Sequence, residues 1–293
     1  MIRIKNFKLL SIYFIFLVIF TIYVVLDTLV FSSSYEVVNK NISKNIDTGD
    51  VSSSDTKYED DNIKIEIKEY RENNTTIYVA DVEVNDSNYL RTAFAKDTYG
   101  KNVAEKTSVT AENVNAILAI NGDYYGVQRS GYVLKNGKIY RDISNSNEDL
   151  VIYNNGDWNI INENNVDLED ILKDGAYNVL SFGPVLINNS DIMVDVNDEV
   201  DKARVDNPRT AIGKISDNHY VFVVSDGRTS ESSGLTLYQL ATFMKSLDCE
   251  IAYNLDGGGS STMYFNGKVV NNPTSGHGGI KERSVSDIVY IGY

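Results

Sequence analysis

The sequence predicts a mixed α+β domain, rich in strands with a few segregated helices, behind an N-terminal transmembrane helix. Short runs of alternating apolar and polar residues are separated by turns containing Asn and Gly, which is typical of antiparallel strands. Helical periodicity is confined to a few short segments. The 293 residues, 42% of them apolar, are sufficient for a single large domain with a substantial core.

The N-terminus contains a long apolar stretch. Residues 9–26 carry no charged side chain, and three basic residues precede them. A stretch of this length is sufficient to span a bilayer as a helix, and the basic flank favours a cytoplasmic N-terminus. We therefore expect residues 1–31 to be a membrane anchor, with the C-terminal domain outside the cell. A signal segment that is cleaved on secretion is the alternative.

The segment after the apolar stretch is polar. Residues 32–61 are rich in Ser, Asn, Asp and Lys, a composition that buries too little apolar area to become ordered. This predicts a flexible stalk, and residues 62–293 are then the globular domain.

The charge balance limits the possible partners. The first 31 residues contain three basic residues and one acidic residue, which leaves 24 basic and 40 acidic residues for the remainder. Such an acidic domain repels nucleic acid, so no nucleic-acid partner is expected. An anionic substrate must instead be met by local arginines.

Cysteine and histidine are scarce. Cys249 is the lone cysteine, so no intrachain disulfide can form, and we expect it to be a small core residue. His219 and His277 are the two histidines, which excludes a three-histidine zinc site. No metal and no cofactor are predicted.

The elements can be followed along the chain. Residues 63–70 and 75–84 alternate in polarity around the turn RENN and predict a hairpin. The later elements are a strand at 88–95, a helix at 107–116, the strand AILAI, hairpins in YVLKNGKIYRD and LVIYNNGDWNII, a helix in VDLEDILKDG, a bent strand NVLSFGPVLINN, a hairpin RTAIGKISDNHYVFVVSDGR, the helix LTLYQLATFMKSL, the strand EIAYNL and the hairpin MYFNGKVV.

The segment LTLYQLATFMKSL gives the clearest helical pattern. Thr236 and Gln239 have the spacing of a capping box at its start. An apolar stripe follows at helical spacing and predicts one buried face. Its members are Leu237, Leu240, Ala241, Met244 and Leu247.

Three loops share one form, in which an apolar strand stops at Asn, Asp, Gly, Arg or Ser. They are AINGDYYG (119–126), DNPRTAIG (206–213) with VVSDGR (223–228), and NLDGGGSS (254–261). Glycine lets the backbone approach a ligand closely, although each loop alone is also ordinary turn chemistry. The spacing required for a P-loop, a dinucleotide fingerprint or a nucleophile elbow is absent from the sequence.

Taken together, these loops resemble the phosphodiester glycosidase family. The resemblance is carried by AINGDYYG, GPVLI, NPRTAIG, VVSDGR, GLTLYQLATFM, NLDGGGSSTMYFNGKVVN and ERSVSDIVYI, in that order over about residues 110–293. It implies hydrolysis of the bond between sugar C1 and a phosphodiester oxygen. The lone cysteine departs from the disulfide-bearing animal members, so a lysosomal substrate is not expected.

The implied reaction needs groups that stabilise the negative charge of the phosphate and a carboxylate that acts at the sugar. Arg209, Arg228 and Arg283 are the candidates for the phosphate, because a guanidinium binds phosphate oxygens in a bidentate manner. An oxocarbenium-like transition state calls for a carboxylate acting as nucleophile or as base. Asp123 and Asp256 are the first candidates and Asp226 and Asp287 the second choices, and the sequence does not divide the roles of nucleophile and base among them.

Other residues of the same loops are expected to bind the substrate. The candidates are hydrogen-bonding side chains, an aromatic ring for the sugar and the backbone N–H groups of three glycines, which form an anion nest. They are Asn121, Tyr124, Thr210, Asn254, Gly257, Gly258, Gly259, Ser260 and Ser261.

We therefore expect a surface-anchored hydrolase that acts on sugar-1-phosphodiesters of cell-envelope or exopolysaccharide polymers in a bacterium. Two alternatives remain open at this point. One is a non-catalytic module that binds a glycan, and the other is a metal-dependent phosphodiesterase that cuts the P–O bond through Asp123, Asp226 and Asp256.

Overall fold

The computed structural model describes residues 2–38, 48–198, 206–275 and 279–293, with side chains from residue 9 onward. His277 and part of the predicted stalk, residues 39–47, lie outside the described residues.

The described residues form helices and strands as follows. The α-helices are α1 (Ile2–Leu29), α2 (Thr107–Asn113), α3 (Leu168–Lys173) and α4 (Leu237–Ser246), and single 3-10 turns cover Ser87–Tyr89, Ala95–Asp97 and Gly258–Ser260. The strands are β1 (Ser33–Val37), β2 (Ser52–Ser53), β3 (Lys57–Glu59), β4 (Ile63–Glu72), β5 (Thr75–Val84), β6 (Leu90–Phe94), β7 (Thr98–Lys101), β8 (Glu105–Lys106), β9 (Leu118–Asn121), β10 (Val133–Lys135), β11 (Lys138–Arg141), β12 (Glu148–Tyr153), β13 (Trp158–Asn162), β14 (Ala176–Leu180), β15 (Val185–Asn188), β16 (Asp191–Ile192), β17 (Arg209–Ser216), β18 (His219–Ser225), β19 (Ile251–Leu255), β20 (Met263–Phe265), β21 (Lys268–Val269), β22 (Thr274–Ser275), β23 (Gly279–Ile280), β24 (Ser284–Val285) and β25 (Asp287–Ile291).

Two antiparallel sheets dominate the fold. One has nine strands in the order β16-β15-β19-β17-β18-β5-β4-β3-β2, and the other has five in the order β21-β20-β9-β25-β6. One apolar cluster combines Ile65 and Phe222 of the first sheet with Ile120 and Val289 of the second, so the main core lies between the sheets. The predicted strand-rich α+β class is confirmed.

Helix α4 covers the other face of the nine-stranded sheet. The predicted capping box is present, since Thr236 Oγ1 accepts from the Gln239 N–H at 3.1 Å and Gln239 Oε1 accepts from the Thr236 N–H at 2.9 Å. Leu240 and Met244 are fully buried in a second cluster against this face. The apolar stripe is thus the contact surface of the helix.

Strand pairing gathers distant loops at one edge of the two sheets. Thr210 in β17 pairs with Leu255, the last residue of β19, and β17 also pairs with β18. In the other sheet, Asn121 at the end of β9 pairs with Ile288 near the start of β25. The loops that follow β9, β18 and β19 are therefore neighbours of the turns that precede β17 and β25.

The N-terminal region differs from a helix followed by a free stalk. Helix α1 contains Leu9–Leu29, which is long and apolar enough to cross a membrane. Within the predicted stalk, however, β1 pairs with β7, and β2 and β3 extend the nine-stranded sheet beside β4. The prediction of a flexible stalk is thus wrong for these strands. The composition suggested that the segment buries too little apolar area to become ordered, but Tyr58 of β3 packs in the main core. The domain boundary at residue 62 stays a prediction.

Candidate active site

Asn121 joins the two sheets at the gathered edge. Its Nδ2 donates to the carbonyl of Asp256 at 2.6 Å, and its Oδ1 accepts from Thr210 Oγ1 at 2.9 Å and from the Thr262 N–H at 3.2 Å. Asn121 and Thr210 are fully buried, so these bonds fix the loop after β19 against the ends of β9 and β17. The structure thus gives both residues a positioning role, and their predicted contact with substrate stays a prediction.

A buried ion cluster lies close to Asn121 in sequence, beginning two residues later at Asp123. Lys135 Nζ is 3.1 Å from Asp123 Oδ2 and 2.9 Å from Asp287 Oδ2, and all three side chains are buried. Burial acts to lower the pKa of Lys135, but the charges of Asp123 and Asp287 outweigh it and the pKa is raised. Burial, followed by the negative charge of Asp123, raises the pKa of Asp287. The cluster holds Asp123 in one orientation.

Asp256 occupies a different environment in the loop after β19. Burial raises its pKa to about 6, opposed by the hydrogen bond from Ser260 and by the positive charge of Arg283. Ser260 Oγ donates to Asp256 Oδ2 at 2.6 Å, which fixes the carboxyl group. A carboxyl group with such a pKa exchanges protons near neutral pH, as a general acid or base must.

The three glycines after Asp256 each face a different arginine. A Cβ built on Gly258 would lie 2.9 Å from Arg228 Nη2, and one built on Gly259 would lie 2.7 Å from Arg283 Nη2. Gly257 lies against Arg209, whose Cδ would be 3.9 Å from such a Cβ. Gly258 also has φ = 60°, a conformation that favours glycine. The absence of side chains at Gly258 and Gly259 lets two guanidinium groups approach this stretch of backbone, with the aliphatic part of Arg209 beside Gly257.

The arginines form a concentrated positive patch in an acidic protein. Burial, followed by the charges of Arg283 and Arg209, lowers the pKa of Arg228. Arg228 is anchored by Asn207, whose Oδ1 accepts from Nε at 3.1 Å and from Nη2 at 2.8 Å. The Nε of Arg209 donates to the carbonyl of Leu235 at 2.8 Å. Like charges held this close indicate a site for an anion.

Asp226 and Asn254, two further predicted site residues, form hydrogen bonds to neighbouring loops at this edge. Asp226, at the end of β18, accepts bonds from the Asn272 N–H at 2.8 Å and from Asn272 Nδ2 at 3.0 Å, which fix the turn after β21. Asn254 Nδ2 donates to the carbonyl of Gly183 at 2.7 Å. The catalytic role predicted for Asp226 and the substrate contact predicted for Asn254 stay predictions.

The two tyrosines after Asp123 differ in exposure. Tyr124 is exposed next to Asp123, where a sugar ring can reach it, whereas Tyr125 is buried against Phe94 and Tyr99. Ser261 Oγ is buried and has no hydrogen-bond partner among the described residues. No group of three His, Cys, Asp or Glu side chains with the arrangement of a metal site occurs in the described ranges.

Comparison with known proteins is consistent with this arrangement. The family model for phosphodiester glycosidases matches residues 114–292, more than half of the chain. The chain belongs to the phosphodiester glycosidase family. The matched range begins before β9 and ends just after β25, so it includes both large sheets in part and all of the loops described above.

Relatives in the family match parts of the chain. A Bacillus subtilis protein, SPbeta prophage-derived uncharacterized protein YomE, is 33% identical over 64% of this chain and 28% of its own length. Human N-acetylglucosamine-1-phosphodiester alpha-N-acetylglucosaminidase is 41% identical over 66 residues, which is 22% of this chain and 13% of that protein. The chain thus spans a minor part of the curated relatives that it matches.

Solved structures show the same fold. The catalytic domain of zebrafish N-acetylglucosamine-1-phosphodiester alpha-N-acetylglucosaminidase, auto-inhibited by its pro-peptide, has a TM-score of 0.62 at 21% identity, over 90% of this chain and 89% of that one. A hypothetical protein from Synechocystis has a TM-score of 0.61 at 13% identity, over 78% of this chain and 62% of that one.

Sequence reasoning missed Lys135. The segment that contains it, VLKNGK, is typical of the exposed end of a hairpin, because Asn136–Gly137 forms a two-residue turn. The one available signal was the alternation VLK, which places Lys135 on the same face as Val133, a buried residue.

Proposed function

We propose that the protein is a membrane-anchored hydrolase that cleaves the C1–O bond of sugar-1-phosphodiesters in cell-envelope or exopolysaccharide polymers. The observation that carries the proposal is the convergence of three arginines on the triglycine segment beside Asp256. A phosphodiester brings one negative charge to a sugar, and this edge of the sheets offers positive charge and acid–base chemistry side by side.

The arginine patch serves the phosphate. When the C1–O bond breaks, the phosphodiester becomes a monoester and gains a second negative charge. Arg228 and Arg283, which lie against Gly258 and Gly259, can each provide parallel N–H donors to its oxygens. Because this charge develops during the reaction, the patch stabilises the transition state more than the bound substrate.

Asp256 is the proposed proton donor to the departing oxygen. A phosphate monoester has a second pKa of about 6. The pKa of Asp256 is also about 6, so proton transfer between the two groups is nearly balanced. Ser260 orients the carboxyl group throughout.

Asp123 is the proposed carboxylate on the sugar side. Its ion pair with Lys135 fixes the carboxylate beside the start of the exposed loop, where Tyr124 is available to pack on the sugar ring. Positive charge that develops at C1 is then met by a negative charge that needs no reorganisation. The two acids thereby have separate roles because their surroundings differ.

The test is hydrolysis of a sugar-1-phosphodiester in oxygen-18 water by the purified full chain. We expect the label in the sugar, because the C1–O bond is the one that breaks. Label in the phosphate would show P–O cleavage and overturn the proposal. Absence of turnover across a panel of sugars, with binding retained, would instead support the glycan-binding module.

Variants then test the residue roles. Asp256→Asn should lower kcat by about 10²–10⁴-fold, the contribution of general acid catalysis. Arg228→Ala should lower kcat/KM by roughly 10- to 100-fold, since one charge-assisted contact is lost. Arg91→Ala, in β6 with Nε bonded to the carbonyl of Asn88, is the matched control and should leave turnover unchanged. Equal effects of Arg91→Ala and Arg228→Ala would mean that the arginine patch is not the phosphate site.

A further inference from the structure

The end of helix α1 is held by the folded domain. Lys101 Nζ donates to the carbonyl of Asp27, and Asn102 Nδ2 donates to the carbonyls of Thr28 at 3.1 Å and Phe31 at 3.0 Å. The last carbonyls of a helix have no partner within it, so side chains that donate to them form a cap. The domain thus caps the apolar helix directly, where a free linker would leave those carbonyls to water.

The same contacts lead to the loop that carries Asp123. The backbone N–H of Asn102 donates to the carbonyl of Gly126 at 2.9 Å. Tyr35, just after the helix, packs on Tyr99 with ring centroids 5.7 Å apart, and Tyr99 stacks on Tyr125 at 5.4 Å. Two separate chains of contacts therefore connect the helix end to the candidate active-site loop.

Exposed apolar side chains surround this junction. Phe31 and Tyr35 are exposed on the helix side, and Tyr124 and Val127 are 40% and 43% exposed on the loop side. Arg129, also exposed, lies two residues further along the same loop. Aromatic and basic side chains next to an apolar span are typical of the lipid headgroup region.

The length of the span sets the position of the loop. Leu9–Leu29 is 21 residues long, which at 1.5 Å per residue is about 30 Å, the thickness of the hydrocarbon core. The helix end at Leu29 then lies where the hydrocarbon meets the headgroups. Asn102 contacts this end and Gly126 is bonded to Asn102, so both are held near the same level.

We propose that the loop 123–130 rests on the bilayer and that the substrate is a sugar-1-phosphodiester whose aglycone is a lipid in that bilayer. This rests on the proposed function. Water supplies a hydroxyl group to C1 and a proton to the departing oxygen, so the products are a free sugar and a lipid phosphate that stays in the membrane. The rigid junction places the site within reach of substrates at this surface.

Depth in the bilayer can be measured independently of catalysis. The full chain in phospholipid nanodiscs is labelled with a fluorescent nitrobenzoxadiazole group at Val127→Cys, and a nitroxide on the lipid headgroup serves as quencher. Native Cys249 is buried, and burial raises the pKa of its thiol to about 12, so it does not compete for label. The matched control is Met193→Cys, 53% exposed beyond edge strand β16 of the other sheet.

We expect several-fold stronger quenching at position 127 than at position 193. Equal quenching at the two positions would overturn the membrane contact, whether or not the enzyme turns over any substrate.

Catalysis tests the substrate class in the same nanodiscs. Val127→Asp should lower kcat/KM for a polyprenyl-linked sugar-1-phosphodiester by about ten-fold, the loss expected when one valine side chain is no longer buried. Turnover of the methyl sugar-1-phosphodiester, which is water-soluble, should be unchanged, and Met193→Asp should affect neither. Strong quenching together with an unchanged kcat/KM for the lipid-linked substrate would overturn the lipid assignment alone. No turnover of either substrate would instead count against the proposed function.

Discussion

Lys135 Nζ lies 3.1 Å from Asp123 Oδ2, inside a cluster whose three members are all buried. The second partner of Lys135 is Asp287, so one ammonium faces two carboxyl groups. Removal of one partner from a buried ion pair leaves a charge without compensation, which is strongly unfavourable. The integrity of the fold at this edge and the orientation of Asp123 therefore depend on the same side chain.

We predict that Lys135→Met lowers the free energy of unfolding by about 3–5 kcal/mol at pH 7. The loss should shrink in mild acid, where the freed carboxyl groups take up protons. Urea denaturation at several pH values measures both effects. Lys64→Met, which removes an exposed ion pair with Glu83, should lower the free energy of unfolding by less than about 1 kcal/mol. Similar losses for the two variants would contradict the buried cluster.

We predict that Gly259→Ala raises KM for a sugar-1-phosphodiester by about ten-fold or more, as expected when one charge-assisted contact is lost. The added Cβ would lie 2.7 Å from Arg283 Nη2, so the guanidinium must leave its place beside the loop. Steady-state kinetics measures the effect. Gly279→Ala is the matched control, because a Cβ there meets nothing within 4 Å. An unchanged KM for Gly259→Ala would show that Arg283 does not hold the phosphate.

Local patterns predicted much of the fold. The alternation in β4 and β5, the capping box of α4 and the glycine turns each depend on near neighbours in sequence. The pairing of β17 with β19, or of β9 with β25, depends on contacts between residues tens to hundreds of positions apart. Local sequence patterns do not predict such contacts. The two-sheet architecture therefore emerges only with the structure.

The site shows the same division. Loop composition was sufficient to select Asp123, Asp256 and the arginines as candidates. It did not reveal that Asn121 holds loops together, because polar side chains that bridge loops and those that contact a ligand both follow apolar strands. The role of Lys135 depends on contacts with Asp123 and with Asp287, 152 positions away in sequence, which no short segment encodes.

We predict that kcat/KM falls as pH rises through about 6, because the proposed mechanism needs Asp256 in its protonated form and its pKa is about 6. The pH–rate profile of the wild type should show this limb, and Asp256→Asn should lack it at a much lower rate. Asp191→Asn, on exposed edge strand β16, is the control that should keep the limb. A limb that persists in Asp256→Asn would assign the ionisation to another group.

A last prediction concerns Asp149 in β12, which is fully buried. Burial, followed by the negative charge of Glu163, raises the pKa of Asp149 to about 9. The folded state then keeps a proton that the unfolded state has lost between about pH 4 and pH 9, so the free energy of unfolding falls with rising pH in that window. One such proton gives a slope of about 1.4 kcal/mol per pH unit.

Asp149→Asn replaces the protonated carboxyl group by a neutral group of similar shape. Its free energy of unfolding should therefore decline less steeply than that of the wild type between pH 5 and pH 8, by about 1.4 kcal/mol per unit. Urea unfolding of both proteins at each pH measures the difference, with Asp191→Asn as the exposed control. Parallel curves for the wild type and Asp149→Asn would mean that Asp149 is ionised in the folded protein, with the hydrogen bond from Ser181 outweighing burial and the charge of Glu163.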